Sequence, residues 1–264
     1  MVNMNIEKIK NIPKRVKQDL EIMSLAENWK DVLSAKLHQT SLHNIKLRNG
    51  VVMSAPSEVS LAFLFHEIWL DKVYSPAGYE IKPGDVVFDI GGNVGVFALY
   101  AATRAKNVKV YSFEPFPENA KYFERNLKDS RLKNVEFFNV AVSDEVGTRV
   151  LNVHDSWIKH SLNGKSSEDE GITVNCTSLN QAMEKIDKCD LLKIDCEGSE
   201  YEILYSCSTE TLKKVKKIVG EYHNLDDGKR NGESLLAFLK ENNFQIDVFE
   251  RLDEHSGFIC AKAI

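Results

Sequence analysis

Four carboxylates and a histidine close strand-like runs in this sequence, the place where an α/β sheet gathers groups around a ligand. Asp89 ends the apolar run VVF at 86–88 and is followed by Gly91, Gly92, Asn93 and Gly95. Val94, Phe97, Ala98 and Ala101 then start a helix, giving a strand–turn–helix unit of the kind that holds a nucleotide. A carboxylate at Asp89 repels the pyrophosphate that dinucleotide folds seat on this helix terminus. It suits a cationic ligand instead. Glu114 ends the next strand-like run, 19 positions after Gly95, close to the spacing at which an acidic residue meets a ribose hydroxyl pair. A carboxylate can accept a hydrogen bond from each of the two hydroxyls.

A third run, VEFFNVAVSD, brings Val140 and Ala141 to the same edge. Small apolar residues there can flank a purine ring. Asp144 either bonds the ring's amine or caps the turn. The fourth run, LLKIDCEGSE, places Asp195 at its end, with Glu197 and Glu200 following. Three carboxylates within six positions are costly unless cations, protons or hydrogen bonds relieve them. Lys193 alternates with Asp195, so both side chains can share a face. Glu197 and Glu200 can also serve simply to stabilise the start of the next helix. The fifth run ends Gly220-Glu221-Tyr222-His223, with Glu221 and His223 on one side. His223 is the proton acceptor suited to neutral pH. Asp195, Glu221 and His223 also offer a mixed oxygen and nitrogen set that suits a divalent ion.

These residues need a scaffold, and the 264-residue chain, 43% hydrophobic, is long enough to bury one substantial core. A formal charge of -5 argues against a general polyanion binder. The cluster Lys213, Lys214, Lys216, Lys217 reads as a solvated helix end, since no aromatic stacking pattern for nucleic acid accompanies it. Five cysteines, at 176, 189, 196, 207 and 260, lack metal-ligand spacing and read as reduced thiols of a cytoplasmic protein. No apolar run is long enough to span a bilayer.

From Pro83-Gly84 onward strand and helix signals alternate. Strands are expected near 86–90, 108–113, 135–140, 190–195, 216–222, 244–250 and 256–263, and helices near 94–104, 117–128, 199–206 and 231–241. This alternation predicts a parallel sheet with helices on both faces. The last two strands lack a helix between them, so one should run antiparallel. Before the sheet, amphipathic helices fit 14–38, a hairpin around Asn49-Gly50 fits 44–54, and an apolar helix runs from Ser57 to Leu70. The first helices either pack on the main domain, close over a substrate, or form a homodimer contact. The polar stretch 154–171, with His154, Trp157 and His160, is either a solvated connection or a substrate loop.

The phrases IKPGDVVFDIGGNVG (81–95), FEP (113–115), NVAVSD (139–144) and LLKIDCEGSEYEIL (191–204) resemble the FkbM family of S-adenosylmethionine-dependent methyltransferases. The family usually has Ala where this chain has Gly92. The resemblance covers 65–263. It implies a class I, Rossmann-like, seven-stranded and mostly parallel sheet in the order 3-2-1-4-5-7-6, forming a methyltransferase domain over 56–264. A helical extension with a hairpin precedes it over 1–55. It implies S-adenosylmethionine held by Asp89, Gly91, Asn93, Glu114 and Pro115, with Val140 and Ala141 at the adenine and Asp195 near the reacting groups. The expected reaction is O-methylation of a hydroxyl on a sugar, glycolipid or other small molecule or glycan. Asp195, His223 and Glu221 are the catalytic candidates, and the resemblance adds no metal. Neither nucleic acid nor a membrane span is expected. Other readings share parts of the pattern: a methyltransferase acting on RNA or protein, a non-catalytic cofactor-binding protein, or a nicotinamide-dependent oxidoreductase. The last lacks the G-x-G-x-x-G spacing.

Overall fold

A computed structural model describes residues 13–38, 40–152, 171–226 and 228–264. Apart from Gly171, the polar stretch 154–171 lies outside the described residues. The chain opens with helices α1 (Lys14–Leu25) and α2 (Trp29–His38), then strands β1 (Asn44–Lys46) and β2 (Val52–Ser54), paired antiparallel as the expected hairpin. Helix α3 (Leu61–Phe65) follows, capped by Ser60, whose hydroxyl accepts from the Phe63 amide at 3.4 Å. It runs directly into a π-helical turn, His66–Leu70. The apolar run to Leu70 is therefore helical but changes pitch at His66.

The central sheet holds β3 (Val86–Ile90), β4 (Lys109–Phe113), β5 (Val135–Phe138), β9 (Leu191–Ile194), β10 (Lys217–His223), β11 (Phe244–Arg251) and β12 (Ser256–Ala263). Their spatial order is β5-β4-β3-β9-β10-β12-β11. Counting these seven strands in chain order, that is the expected 3-2-1-4-5-7-6. β3 pairs in parallel with β4 and β9, and β9 with β10. β12 runs antiparallel to both neighbours. Strand β9 (LLKI) is buried along its length and β3 from Val87 onward, as a sheet covered on both faces requires. The covering helices are α4 (Val96–Arg104), α5 (Pro117–Asp129), α6 (Leu179–Ala182), α7 (Glu200–Tyr205), α8 (Thr209–Lys214) and α9 (Gly232–Glu241).

One expected strand divides. The run 135–140 ends at Phe138, and β6 (Ala141–Ser143) joins β7 (Gly147–Asn152) and β8 (Gly171–Ser178) in a separate three-stranded sheet. The elements before the sheet pack into the same buried cluster as the sheet: Ile22, Ile45, Met53 and Trp69 share it with Val87, Phe97 and Val219. Trp69 sits edge-on to Tyr100 of α4, with centroids 5.4 Å apart.

Three of the four clustered lysines hold their own chain. Lys214 Nζ donates to the Met183 carbonyl (2.8 Å), Lys217 Nζ to the Gly78 carbonyl (2.6 Å), and Lys216 pairs with the buried Asp190 (2.7 Å). The five cysteines are unpaired. Among the described residues, no helix is long and apolar enough to cross a membrane.

Candidate active site

The turn after β3 is shaped by close backbone approach. Gly91 has φ +80°, and a Cβ built there would lie 1.8 Å from the Asp195 carbonyl oxygen. No other residue type fits this turn. The Gly91 and Gly92 amides donate to the Phe113 carbonyl at 3.1 and 2.9 Å. Lys193 Nζ, buried, donates to the Gly91 carbonyl at 2.6 Å and lies 3.3 Å from Asp89 Oδ1. Burial opposes the Lys193 charge, but the pull of Asp89 and then Asp195 prevails and holds its pKa above the ordinary value. Asp89 stands beside Ser112 on β4 and Lys193 on β9 in register. It is fully buried, accepts from Ser112 Oγ at 2.6 Å, and lies outside the lining of the cavity above the turn. Neighbours in register share a sheet face, so its charge is spent on Lys193 beneath the turn. The carboxylates that do face the cavity are others. Gly92 also has a local reason: a Cβ there would lie 2.5 Å from Ser112 Oγ and 2.9 Å from Phe123, so an alanine would push the Ser112 hydroxyl off Asp89.

The cavity above the turn has a volume of about 420 Å³ and runs from Glu114 to His223. At one end Glu114 is held from three sides. Its Oε2 accepts from the Asn93 amide (2.8 Å); its Oε1 accepts from the Phe116 amide (2.9 Å) and Asn119 Nδ2 (3.3 Å). Burial pushes its pKa up, against these hydrogen bonds. Asn93, at φ +49°, delivers its amide from a left-handed conformation that asparagine tolerates. Pro115 and Ala141 line the cavity beside Glu114, together with Phe113, Val142 and Leu151. Val140 packs against the core beneath. Asp144 binds Arg149 and the Ser143 hydroxyl instead of reaching the cavity. The orientation of Glu114 and the room left above Gly91 fit an adenosyl group.

At the other end Asp195, Glu197, Glu221 and His223 converge. Tyr74 Oη donates to Asp195 Oδ2 at 2.9 Å. The His223 ring is fixed by Glu200, which is fully buried: Nδ1 lies 3.0 Å from Glu200 Oε1, which also accepts from the Cys196 and Gly198 amides at 3.2 Å. A carboxylate accepts, so Nδ1 carries the hydrogen and Nε2 becomes the site of proton exchange. Nε2 lies 3.4 Å from Glu197 Oε2. Burial works against the imidazolium, but Glu200 and then Glu197 and Asp195 outweigh it and raise the His223 pKa to about 9. Burial, then Asp195 and Glu67, raises Glu221 to about 8. Among the described residues, Asp195, Glu197 and His223 offer ligand atoms within 4.8 Å of one another, a set able to hold a metal. It differs from the expected set by Glu197 in place of Glu221.

Sequence reasoning missed two groups. Glu67 reaches the cavity from the π-helical turn, and burial followed by Asp195 raises its pKa to about 7. Tyr74 comes from the loop after that turn. Neither ends a sheet strand, so strand-end logic does not reach them. Glu200 was visible, but only as a helix-start carboxylate; its link to His223 crosses 23 positions.

The model of the Methyltransferase FkbM domain matches residues 89–246, which take in the glycine turn, Glu114, Asp195, Glu200 and His223. The chain is 28% identical over 237 residues to 31-O-demethyl-FK506 methyltransferase FkbM of Streptomyces tacrolimicus, covering 78% of this chain and 90% of the relative. It is 27% identical over 185 residues to hexuronic acid methyltransferase AglP of Haloferax volcanii, covering 69% and 72%. Among solved structures it is similar to a precorrin-6y C5,15-methyltransferase from Geobacter metallireducens, at 14% identity and TM-score 0.47, covering 80% and 93%. The protein is an enzyme, a methyltransferase whose cofactor is S-adenosylmethionine. With the domain match spanning more than half of its length, the chain belongs to the FkbM methyltransferase family.

Proposed function

We propose that the enzyme O-methylates a hydroxyl of a sugar, glycolipid or other small-molecule acceptor, with His223 as the proton acceptor. The observation that carries this reading is the Glu200–His223 pair at the edge of the cavity that also holds Glu114. When bound, S-adenosylmethionine supplies a methyl group already activated by its sulfonium. An alcohol is a poor nucleophile, so the protein must hold its oxygen in line and take its proton as the bond forms. Glu200 holds the ring through Nδ1, and with a pKa of about 9 His223 takes that proton at Nε2 only from its neutral form, so transfer should rise with pH up to about 9. Asp195, fixed by Tyr74, is placed to orient the hydroxyl. Glu221 accepts a further hydrogen bond from the acceptor, and the apolar side chains Phe63, Leu64 and Ile68 shield the site from water.

The names of the two relatives support an oxygen-bearing small-molecule or sugar acceptor. The lysines that could have met a nucleic acid backbone are largely engaged with the chain itself, which favours a small acceptor over RNA. Five unpaired thiols suit a cytoplasmic setting. The test is transfer of labelled methyl from S-adenosylmethionine into fractionated extract. Label should enter small-molecule or glycan material as a base-stable ether, and His223→Ala should lower single-turnover transfer by roughly 10²-fold or more. Label confined to nucleic acid or protein, or a His223→Ala enzyme as fast as the wild type, would refute the proposal.

A further inference from the structure

We infer that Asn119 is a cofactor-binding residue: its side-chain oxygen accepts one ribose hydroxyl of S-adenosylmethionine, while Glu114 accepts the other. The inference rests on the cofactor reading above and adds a second acceptor to it. It begins with a count of lone pairs. A carboxylate offers about four acceptor positions, two on each oxygen. Glu114 Oε1 already takes two hydrogen bonds, from the Phe116 amide and Asn119 Nδ2, and Oε2 takes one, from the Asn93 amide. One position remains, on Oε2. A ribose presents two adjacent hydroxyls, so a second acceptor is needed.

Asn119 supplies it. The residue sits in the first turn of α5, lines the cavity and is 3% exposed. Its Nδ2 faces Glu114 Oε1. The opposite rotamer would set the amide oxygen against the carboxylate oxygen, so the orientation of the amide is fixed by Glu114. The other end, Oδ1, is buried and has no hydrogen-bond partner among the described residues. Buried acceptors are rarely left so, because an unpaired one forfeits its hydration without return. The terminal torsion of asparagine is broad and soft, so a small turn of the amide opens Oδ1 to a hydroxyl beside Glu114. Asn119 therefore has two tasks: it braces the carboxylate with its nitrogen and meets the ligand with its oxygen.

A purely bracing role would predict a different response, and calorimetry separates the two. The probes are S-adenosylhomocysteine and its 2′-deoxy and 3′-deoxy forms, titrated into wild type, Asn119→Ala and Glu114→Gln. Asn119→Ala should weaken S-adenosylhomocysteine by roughly three- to tenfold, the range of one neutral hydrogen bond. That loss should vanish on one deoxy ligand and persist on the other. The Glu114→Gln loss should depend on the remaining hydroxyl. Equal Asn119→Ala losses on all three ligands, or none on any, would overturn the inference. So would a Glu114→Gln loss that depends on both hydroxyls, a readout that stands even if Asn119→Ala fails to fold. If the wild type binds none of the three ligands, the cofactor reading itself falls, which is a distinct result.

Discussion

The His223 ring shows how one side chain's chemistry depends on residues far away in the sequence. Its Nδ1 is held by Glu200 at 3.0 Å, and its pKa is lifted to about 9 because Glu200, Glu197 and Asp195 together outweigh the cost of burying the cation. Replacing Glu200 with Gln removes the nearest of these charges and keeps the size of the side chain. The His223 pKa should fall from about 9 toward its ordinary value of 6.5 by a unit or more, read by NMR titration of the imidazole in the ligand-free protein. A titration unchanged by Glu200→Gln would show that Glu200 does not govern the base. At this scale the sequence was legible where a residue's position follows from its place at a strand end: Glu114, Asp195 and His223 all line the one cavity. It was misleading for Asp89. Its strand-end position suggested a ligand-facing charge, but Lys193 and Ser112 stand beside it in register and take up that charge internally. Cross-strand pairing is not written in local pattern.

The elements that carry the site were largely readable because hydrophobic period and turn chemistry agree along the chain. The glycine turn, the seven strands and four of the flanking helices lie within a few residues of their expected spans. What escaped is geometry that depends on packing: the π-helical pitch at His66–Leu70, and the departure of β6 from the sheet after Phe138. Asn126 is a third case. In the sequence it is one polar residue in an amphipathic helix. In the structure it is fully buried, and its amide joins three elements: Nδ2 donates to the Ser54 and Val94 carbonyls at 2.8 Å, and Oδ1 accepts from the Ser54 amide at 2.8 Å. Helix α5 thereby ties strand β2 to the cofactor turn. Asn126→Ala leaves three buried backbone groups unpaired and should destabilise the protein by about 3 kcal/mol, given about 1–3 kcal/mol for each such group and partial relaxation. Urea unfolding checks the value. A loss below about 1 kcal/mol would mean that these backbone groups find other partners.

Across the whole molecule, two separate elements, the π-helical turn and β10, bring three titratable groups with raised pKa values to one wall of the cavity: Glu67 at about 7, Glu221 at about 8 and His223 at about 9. Glu67 faces Asp195, Lys193 and Asp71, and Glu221 faces Asp195, Glu67, His223 and Glu197. These groups titrate as a cluster. In the unfolded chain the two carboxyls lose their protons near 4.5 and the histidine near 6.5. Between those values and the folded ones, the native state binds more protons than the unfolded state, so stability falls as pH rises. The carboxyl contribution declines from about pH 4.5 to 8. That of His223 is complete below 6.5 and lost through about 9. Carboxylates with lowered pKa, such as Asp190, Asp226 and Asp247, act in the opposite sense, and their contribution is lost on the acid side of that range. The ligand-free protein should therefore melt at progressively lower temperature from pH 5 to pH 9, and Glu67→Gln with Glu221→Gln should flatten the slope below pH 6.5, leaving the part that Glu114 and Glu202 contribute. The same ionisation makes the wall more negative as pH rises. It should favour the cationic S-adenosylmethionine over the neutral thioether S-adenosylhomocysteine by a margin that widens from pH 5 to pH 8. Paired thermal shifts in the two ligands measure that margin. A constant or shrinking margin would place the selection of a positively charged methyl donor elsewhere than on Glu67 and Glu221.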